Sequence, residues 1–366
     1  MKLHEFLPPV SQAVGRVGPN DWVVLSTRVR LARNLRSTLF PDRAKKNDRI
    51  RVCSIIRKEV EALPQMASGF AESMDALSAV EKQTLVERHL ISREHAMRGA
   101  GSALVLSKDT SLSVMINEED HLRMQSLKPG MQLQEAWVAI DEVDTALSKT
   151  LDFAFSDEFG YLTACPTNVG TGIRVSAMLH LPGLVLAEQI NRVIQAANEL
   201  GLAVRGLYGE GTEALGNLFQ VSNQRTLGQT EEEIIERVGK VVNNIIENEK
   251  NARGLLLQNN PKMVYNHIGR AYGILANSHS ISSKETMNLL SLFRLGFDLG
   301  FFPGVQRSFI DELFMVTQPA HLQARFAGKL SAEERDIRRA DMLREAFRNV
   351  ERPSMPSDPT SSLDKT

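Results

Sequence analysis

Cysteine is nearly absent. The 366 residues hold two, Cys53 and Cys165, too few for a disulfide framework, so a reducing compartment is expected. No apolar run approaches the roughly 20 residues that cross a bilayer, and the opening Met1-Lys-Leu-His-Glu-Phe-Leu-Pro-Pro is too polar for the core of a secretion signal. A cytoplasmic location without membrane attachment follows as the expectation. Excess charge of either sign is also missing, with a formal net charge of -1, so no chain-wide basic surface for nucleic acid or anionic lipid is expected. Internal repeats are absent. The remaining composition, 42% hydrophobic and 24% charged, is that of a globular chain long enough for two or three domains.

The stretch that organises the chain is Tyr161-Leu-Thr-Ala-Cys-Pro-Thr-Asn-Val-Gly-Thr-Gly-Ile-Arg174. It begins as a short strand, breaks at Pro166 and enters a turn-rich loop with Gly170 and Gly172. Glycine lets backbone N–H groups approach an anion closely, so the loop suits phosphate oxygens, with the Cys165 thiol facing a substrate and Arg174 supplying a cation. Taken alone, it fits an ordinary strand-to-helix turn equally well.

Residues 22–34 alternate apolar and polar as a half-buried strand does. Val23, Leu25, Val29 and Leu31 share one face and Ser26, Arg28 and Arg30 the other. Two arginines two apart project side by side, as a polyphosphate clamp needs and as an exposed charged face also allows. Helices are predicted over 42–63 and 78–91. His89 and Arg93 follow the second, and His89 is a nucleotide-site candidate beside the simpler reading of a packed histidine. A hairpin over 102–117 turns near Asp109 and delivers the chain into Asn117-Glu-Glu-Asp-His-Leu-Arg123. Three consecutive acids form either a solvated loop or a carboxylate site for a cation. A guanidinium, with five donors in a planar fork, matches such a site with two parallel bonds.

Helices are predicted over 131–150 and 184–200, with Gly201 as C-cap. A strand then enters Val204-Arg-Gly-Leu-Tyr-Gly-Glu-Gly-Thr-Glu213, whose glycines suit a loop that closes over substrate and leave Glu210 room to reach a reacting group. A strand near 218–222 and a helix over 231–250 follow. From about 255 the alternating pattern stops. Helices are predicted at 262–277, 284–298, 305–316 and 332–349, with capping boxes at Ser282/Glu285 and Ser331/Glu334. The last opens Arg335-Asp-Ile-Arg-Arg-Ala340, where Arg335 and Arg339 share a face with Asp336 beside them. That pattern fits a surface ion-pair helix or a fork for a phosphorylated guanidinium. A tail rich in Ser, Pro and Asp is expected to be disordered.

Four segments in order, Ser26-Thr-Arg-Val-Arg-Leu-Ala-Arg-Asn, Asn117-Glu-Glu-Asp-His, Cys165-Pro-Thr-Asn-Val-Gly-Thr-Gly and Arg205-Gly-Leu-Tyr-Gly-Glu-Gly-Thr-Glu, resemble the guanidino (phosphagen) kinases over roughly residues 20–250. The resemblance implies an α+β fold: a twisted antiparallel sheet flanked by helices, glutamine-synthetase-like, and then an all-α C-terminal domain. In small-molecule members a helical domain precedes the Ser-Thr-Arg-Val-Arg strand. Here only 25 residues precede Ser26, and the helical domain follows the core. That arrangement resembles the protein-arginine branch of the family. The implied domains are a catalytic domain over 1–254, a helical domain over 255–350 for dimerisation and phosphoarginine binding, and a tail over 351–366.

The resemblance implies transfer of the ATP γ-phosphoryl group to arginine side chains of proteins. Arg28, Arg30, Arg123, Arg174 and Arg205 would surround the phosphates, with Ser26 and His89 at the nucleotide. Mg²⁺ would sit on phosphate oxygens through water, Glu118 lying in its outer sphere, without a dedicated protein metal site. Glu210 would be the base, Glu119 the second guanidinium anchor, and Cys165 a thiolate that orients the acceptor and is open to oxidation. Arg335, Asp336 and Arg339 would bind phosphoarginine allosterically. The implied partners are a zinc-binding activator, a stress-response repressor among the protein substrates, and a Clp-type protease that degrades marked proteins. Two rival functions are a kinase of free arginine and a non-catalytic phosphoarginine reader.

Overall fold

The structure, a computed structural model, describes residues 2–206, 214–326 and 328–355. These residues form two compact units. The first takes 2–8, 26–177 and 222–240, and the second takes 9–25, 178–221 and the chain from 241 onward.

The first unit is organised on strands β1 (Val24–Arg33), β2 (Phe70–Ser73), β3 (Ala103–Leu106), β4 (Leu112–Ile116) and β5 (Leu122–Pro129). A two-stranded ribbon, β6 (Phe155–Ser156) with β7 (Gly160–Tyr161), stands apart from them. With β8 (Ile173–His180) and β10 (Leu218–Asn223), which run on into the second unit, the order is β2-β3-β4-β5-β1-β8-β10. The pairs β2·β3, β3·β4, β4·β5 and β1·β5 are antiparallel. β3 and β4 form the expected hairpin, and Asp109 closes its turn by accepting bonds from Ser107 Oγ at 2.7 Å and the Ser111 amide at 3.1 Å. The helices Lys46–Glu61, Ala79–Glu87 and Leu133–Ser148 fall within their predicted spans. The Ala79–Glu87 helix starts at Ser78, whose hydroxyl caps Glu81 N–H while the Glu81 carboxylate returns to Ser78 N–H.

Parity along β1 has one consequence the motif alone hides. Arg33 is odd-numbered, so it points opposite to Arg28 and Arg30 and into the core, where it is 1% exposed. A buried guanidinium needs a partner. Asp144 of the Leu133–Ser148 helix supplies one at 2.7 Å, the carbonyls of Ala32 and Thr171 accept at 2.9 Å, and the Tyr161 ring lies 3.5 Å from the guanidinium carbon. Gly172, with φ +68, passes so close that a Cβ there would lie 2.6 Å from Arg33 Nη1 and 2.7 Å from the Ala32 carbonyl.

The second unit carries β9 (Leu202–Gly206) beside the far half of β10. The predicted 184–200 helix is two helices, Pro182–Leu186 and Ile190–Glu199, separated where Glu188 takes φ +56. Helices Glu231–Asn259 (its first residues lie in the first unit), Pro261–Asn277, Ser283–Asp298, Arg307–Val316, Pro319–Gln323 and Ala332–Phe347 follow. Their apolar stripes meet in one core in which Phe293 stacks 4.5 Å from Phe302 and 4.8 Å from Phe347. Ser331 and Glu334 form the full capping box, whereas Ser282 caps Glu285 N–H with no return bond described. Ion pairs are buried in this unit, Glu249 with Arg253 at 2.6 Å and Arg253 with Asp298 at 3.0 Å, and half-buried Arg307 also meets Asp298 at 3.2 Å. Glu249 also accepts the amides of Gly183 and Leu184 at 2.8 and 2.9 Å. From residue 356 the expected tail lies outside the described residues.

Two substitutions test these supports. Phe293→Ala empties a site that is 0% exposed and is expected to cost about 3–5 kcal/mol. Asp144→Ala strands the Arg33 charge in the core and is expected to cost a similar roughly 3–5 kcal/mol. Urea unfolding measures both, and a change under about 1 kcal/mol in either would contradict the packing described.

Candidate active site

Arg28 and Arg30 are half-buried on the face of β1 opposite the buried Thr27, Val29 and Leu31. The β1·β5 register sets Arg28 against Leu127, Arg30 against Gln125 and Ala32 against Arg123. Opposed residues of an antiparallel pair point the same way, so Arg123 joins Arg28 and Arg30 on one face. On the other side of β1, Ala32 N–H donates to the Gly172 carbonyl at 3.0 Å and Ser176 Oγ donates to the Arg28 carbonyl at 3.4 Å. These two bonds bracket Arg30 and Arg174, so a fourth guanidinium joins the face. Arg174 therefore belongs to a strand, β8, where the sequence reading had the glycine loop ending. Its Nη2 donates to Ser222 Oγ at 3.1 Å. Ser26, half-buried, continues the same face opposite Pro129.

Four like charges in one place raise the cost of each. Burial first, then Arg28, Arg123 and Arg174, push the Arg30 guanidinium well below its ordinary pKa, while Glu118 pulls the other way. The Nε of Arg30 is wholly covered and has no hydrogen-bond partner among the described residues. A covered donor without an acceptor inside a cationic cluster is the arrangement a polyanion completes.

The acid loop supplies the counter-charge. Glu118 is 0% exposed, and its carboxylate bonds the guanidinium of Arg123 and the Ser92 hydroxyl. Burial lowers the Arg123 pKa, but Glu118, Glu119 and Asp120 outweigh it and the net direction is up. Glu119 is less enclosed, 3.5 Å from Arg123 Nη2. Burial lifts its carboxyl above the ordinary range. Arg123 opposes this, and Asp120, Glu118 and Asp42 reinforce it. Glu119 is the half-buried carboxylate of this loop, between buried Glu118 and Asp120, and so the one that a further cation can reach.

Asp120 and His121 were not singled out in the sequence, yet they tie the site together. Asp120, fully buried, accepts the Asn34 side-chain amide at 2.6 Å and the Ala164 amide at 2.7 Å. The acid loop is thereby fastened to the backbone beside Cys165. His121 Nδ1 accepts the Leu35 amide at 3.1 Å and its Nε2 donates to the Leu39 carbonyl at 3.1 Å, which defines the neutral tautomer. Cys165 is partly exposed ahead of the 3-10 turn Pro166–Asn168, with its sulfur 3.1 Å from Thr167 Oγ1. His89, with φ +58, is held over the arginine face by Gln125, whose amide donates to the His89 carbonyl at 2.8 Å. Burial and then Arg28 lower the His89 pKa to about 4, so it adds no charge to the cluster at neutral pH.

The structure thus brings together Arg28, Arg30, Arg123, Arg174, Ser26, His89, Glu118, Glu119 and Cys165 in the first unit. Arg205 belongs to the second, exposed on β9. Glu210, in the stretch 207–213, lies outside the described residues. In the second unit Arg339 is 1% exposed. Its Nε donates to the Thr317 carbonyl and its Nη1 to the Ile281 carbonyl, both at 2.8 Å, and it pairs with Asp336. Arg335 is half-buried and donates to the Leu330 carbonyl at 2.9 Å. Among the described residues no group of three or more His, Cys, Asp or Glu is set to hold a metal ion, and no helix is long and apolar enough to cross a membrane.

Comparison with known proteins gives consistent results. The family model of the ATP:guanido phosphotransferase C-terminal catalytic domain matches residues 51–252, and that of the protein-arginine kinase McsB C-terminal domain matches 261–358. A protein-arginine kinase of Halothermothrix orenii is 45% identical over 335 residues, 92% of this chain and 96% of its own. That of Geobacillus sp. (strain WCH70) is 45% identical over 355 residues, 96% and 98% of the two chains. Among solved structures, a lombricine kinase aligns with TM-score 0.56 and 22% identity over 66% of this chain and 71% of its own. The duplicated taurocyamine kinase of Schistosoma mansoni, bound to transition-state analogue components, aligns with TM-score 0.55 and 26% identity over 65% of this chain and 34% of its own.

Two outcomes follow from the electrostatics. Arg30→Met removes a crowded charge and is expected to leave stability unchanged or raise it by about 1 kcal/mol. A loss of more than about 2 kcal/mol would show that Arg30 is a structural residue. His89, His95 and His121 are each held near pKa 4 by burial. The unfolded chain takes up these protons near pH 6.5 and the folded one only near 4, so stability is expected to fall as pH drops through that window. Urea midpoints at pH 7 and 4.5 test this, and equal midpoints would refute it.

Proposed function

The chain belongs to the protein-arginine kinases within the ATP:guanido phosphotransferase family, and on that premise we propose that it transfers the γ-phosphoryl group of ATP to arginine side chains of proteins. The observation that carries the site assignment is the crowding of three guanidinium groups, Arg28, Arg123 and Arg174, around Arg30, whose Nε has no partner among the described residues. Phosphoryl transfer needs positioning and charge neutralisation more than covalent help. Arg28, Arg30, Arg123 and Arg174 fit the triphosphate and the transferring group, with Arg205 as a fifth donor by motif, and Ser26 and neutral His89 fit the nucleotide. Glu118 spends its carboxylate on Arg123 and Ser92, which suits an outer-sphere relation to Mg²⁺. Mg²⁺, carried on the phosphates, would neutralise charge there.

The acceptor arginine has a pKa above roughly 12, so its attacking nitrogen must lose a proton as the P–N bond forms and the bond to the ADP oxygen breaks. Glu210 is assigned as the base that takes that proton. Glu119 is assigned as the carboxylate that aligns the guanidinium, in keeping with its raised pKa. Cys165 is assigned to lie against the acceptor and orient it, and a partly exposed thiol there is open to oxidation.

Family membership supports the wider assignments. The catalytic part is residues 1–254. The helical part, 255–350, serves dimerisation and binds phosphoarginine, with Arg339 holding Asp336 in place and Arg335 meeting the phosphate. The modified proteins, a stress-response repressor among them, pass to a Clp-type protease, and a zinc-binding protein activates the kinase in the cytoplasm.

The test is mass spectrometry of an arginine-rich unfolded protein after incubation with enzyme, ATP and Mg²⁺. Acid-labile phosphoryl groups mapped to arginine are expected. Glu119→Gln and Cys165→Ser should each lose roughly 10- to 100-fold in kcat through misplacement of the acceptor. ATP consumption with free arginine and no labelled protein would favour the small-guanidine reading instead. With Glu119 ionised in the working form, the acid limb of kcat/KM is expected above the ordinary glutamate pKa and should disappear in Glu119→Gln.

A further inference from the structure

An apolar cavity of about 490 Å³ opens beside the Cys165 loop, lined chiefly by Leu35, Leu39, Phe40, Ala154, Phe155 and Leu162. Leu39 and Phe155 at its mouth are 61% and 47% exposed. Nothing in the chemistry above uses it. We propose that this cavity is an acceptor subsite that receives an apolar or aromatic side chain within three residues of the target arginine. This directs the enzyme to unfolded segments, and it rests on the protein-substrate reading.

The first support is continuity with the acceptor site. Leu162 lines the cavity and lies three residues before Cys165, so their Cα atoms are no more than about 11 Å apart. On the other wall, Leu35 N–H and the Leu39 carbonyl both bond His121, two residues from Glu119. Asn34 joins the two sides, its amide donating to Asp120 Oδ1 at 2.6 Å and to the Leu162 carbonyl at 3.1 Å. Ala154 N–H donates to the Asn34 carbonyl at 2.7 Å and Leu162 N–H to the Ala154 carbonyl at 2.9 Å. The cavity and the groups assigned to the arginine are therefore one bonded frame. An extended acceptor chain advances about 3.3 Å per residue, which puts the cavity one to three residues from the arginine.

The second support is charge complementarity. Glu119, with Asp120 and Asp42 acting on it, makes one side of this frame attractive to a cation. The cavity lining contains no carboxylate, and its one charged residue, Arg36, pairs with Asp152 at 3.4 Å. An anionic subsite beside a largely apolar one matches an arginine with an apolar neighbour. Free arginine, whose other end carries an ammonium and a carboxylate, cannot fill the second subsite. In folded proteins large apolar side chains are mostly buried, so this pair becomes accessible together chiefly when a segment opens.

The experiment compares two peptides, identical except that the second residue after a single arginine is Phe or Ser. The readout is the ratio of their kcat/KM values with ATP and Mg²⁺, which cancels general damage to the enzyme. The wild type is expected to favour the Phe peptide by about tenfold, within the range of discrimination an apolar pocket gives. In Leu39→Ser, an exposed position tolerant of change, the ratio should fall to about two or less. A wild-type ratio near one, or a ratio that Leu39→Ser leaves unchanged, overturns the subsite and leaves the kinase reading standing. Labelling of free arginine with no labelling of either peptide overturns the protein-substrate reading, and the subsite with it.

Discussion

Repulsion among guanidinium groups is the constraint on which the first unit depends. Arg28, Arg30, Arg123 and Arg174 occupy neighbouring positions of three adjacent strands. Nothing about a β-sheet favours such a cluster, and Arg30 answers it with a depressed pKa and a covered, unpartnered Nε. A sheet holds the side chains at fixed spacing through backbone bonds that the charges cannot break. The buried carboxylate of Glu118 is placed on Arg123, at one end of the cluster, and Arg30 at its centre keeps a covered Nε with no hydrogen-bond partner among the described residues. A site prepared in this way needs little reorganisation when charge arrives.

The supports around the cluster follow from that requirement. Arg33, on the opposite face, is wholly compensated by Asp144 and two carbonyls, so it stabilises the sheet from behind without adding to the repulsion in front. Gly172 has the one side chain, a hydrogen, that lets β8 approach this knot. Asp120 and His121 carry the geometry sideways, from the acid loop to the backbone at Ala164 and to the wall at Leu35–Leu39. Their bonds make the cation site, the thiol loop and the apolar cavity parts of one piece. The second unit treats buried charge differently, since Glu249, Arg253, Asp298 and Arg307 pair with one another.

Several features were legible because they depend on spacing. The alternation from Val23 to Leu31 put Arg28 and Arg30 on one face, and the hairpin before Asn117 and the helices after 255 came from their own periodicities. Strand β8 was missed. Its pattern, Ile173, Val175, Ala177 and Leu179 buried in alternation, was present but lay hidden against a glycine loop that drew Arg174 into it. The 184–200 helix was read as continuous because its apolar stripe is continuous. The break at Glu188 is a backbone event that no side-chain pattern marks. Arg33 could have been found by parity: it falls on the core face of β1, where a charge must have a partner.

By itself, the sequence determined the kinds of chemistry present and their order along the chain. Those were a cation pair on a strand, an acid run after a hairpin, a thiol in a glycine loop and a helical region after the sheet. Local periodicity and backbone permissiveness are properties of neighbours in the chain, so they can be read there. Only the tertiary structure decided which of these groups meet. Arg123 joins Arg28 and Arg30 through strand register, Arg174 through the pairing of β8 with β1, and Asp120 reaches the Cys165 loop across 44 residues of chain. Register and long-range bonds are set by packing the whole unit at once, and no stretch of sequence contains that information alone.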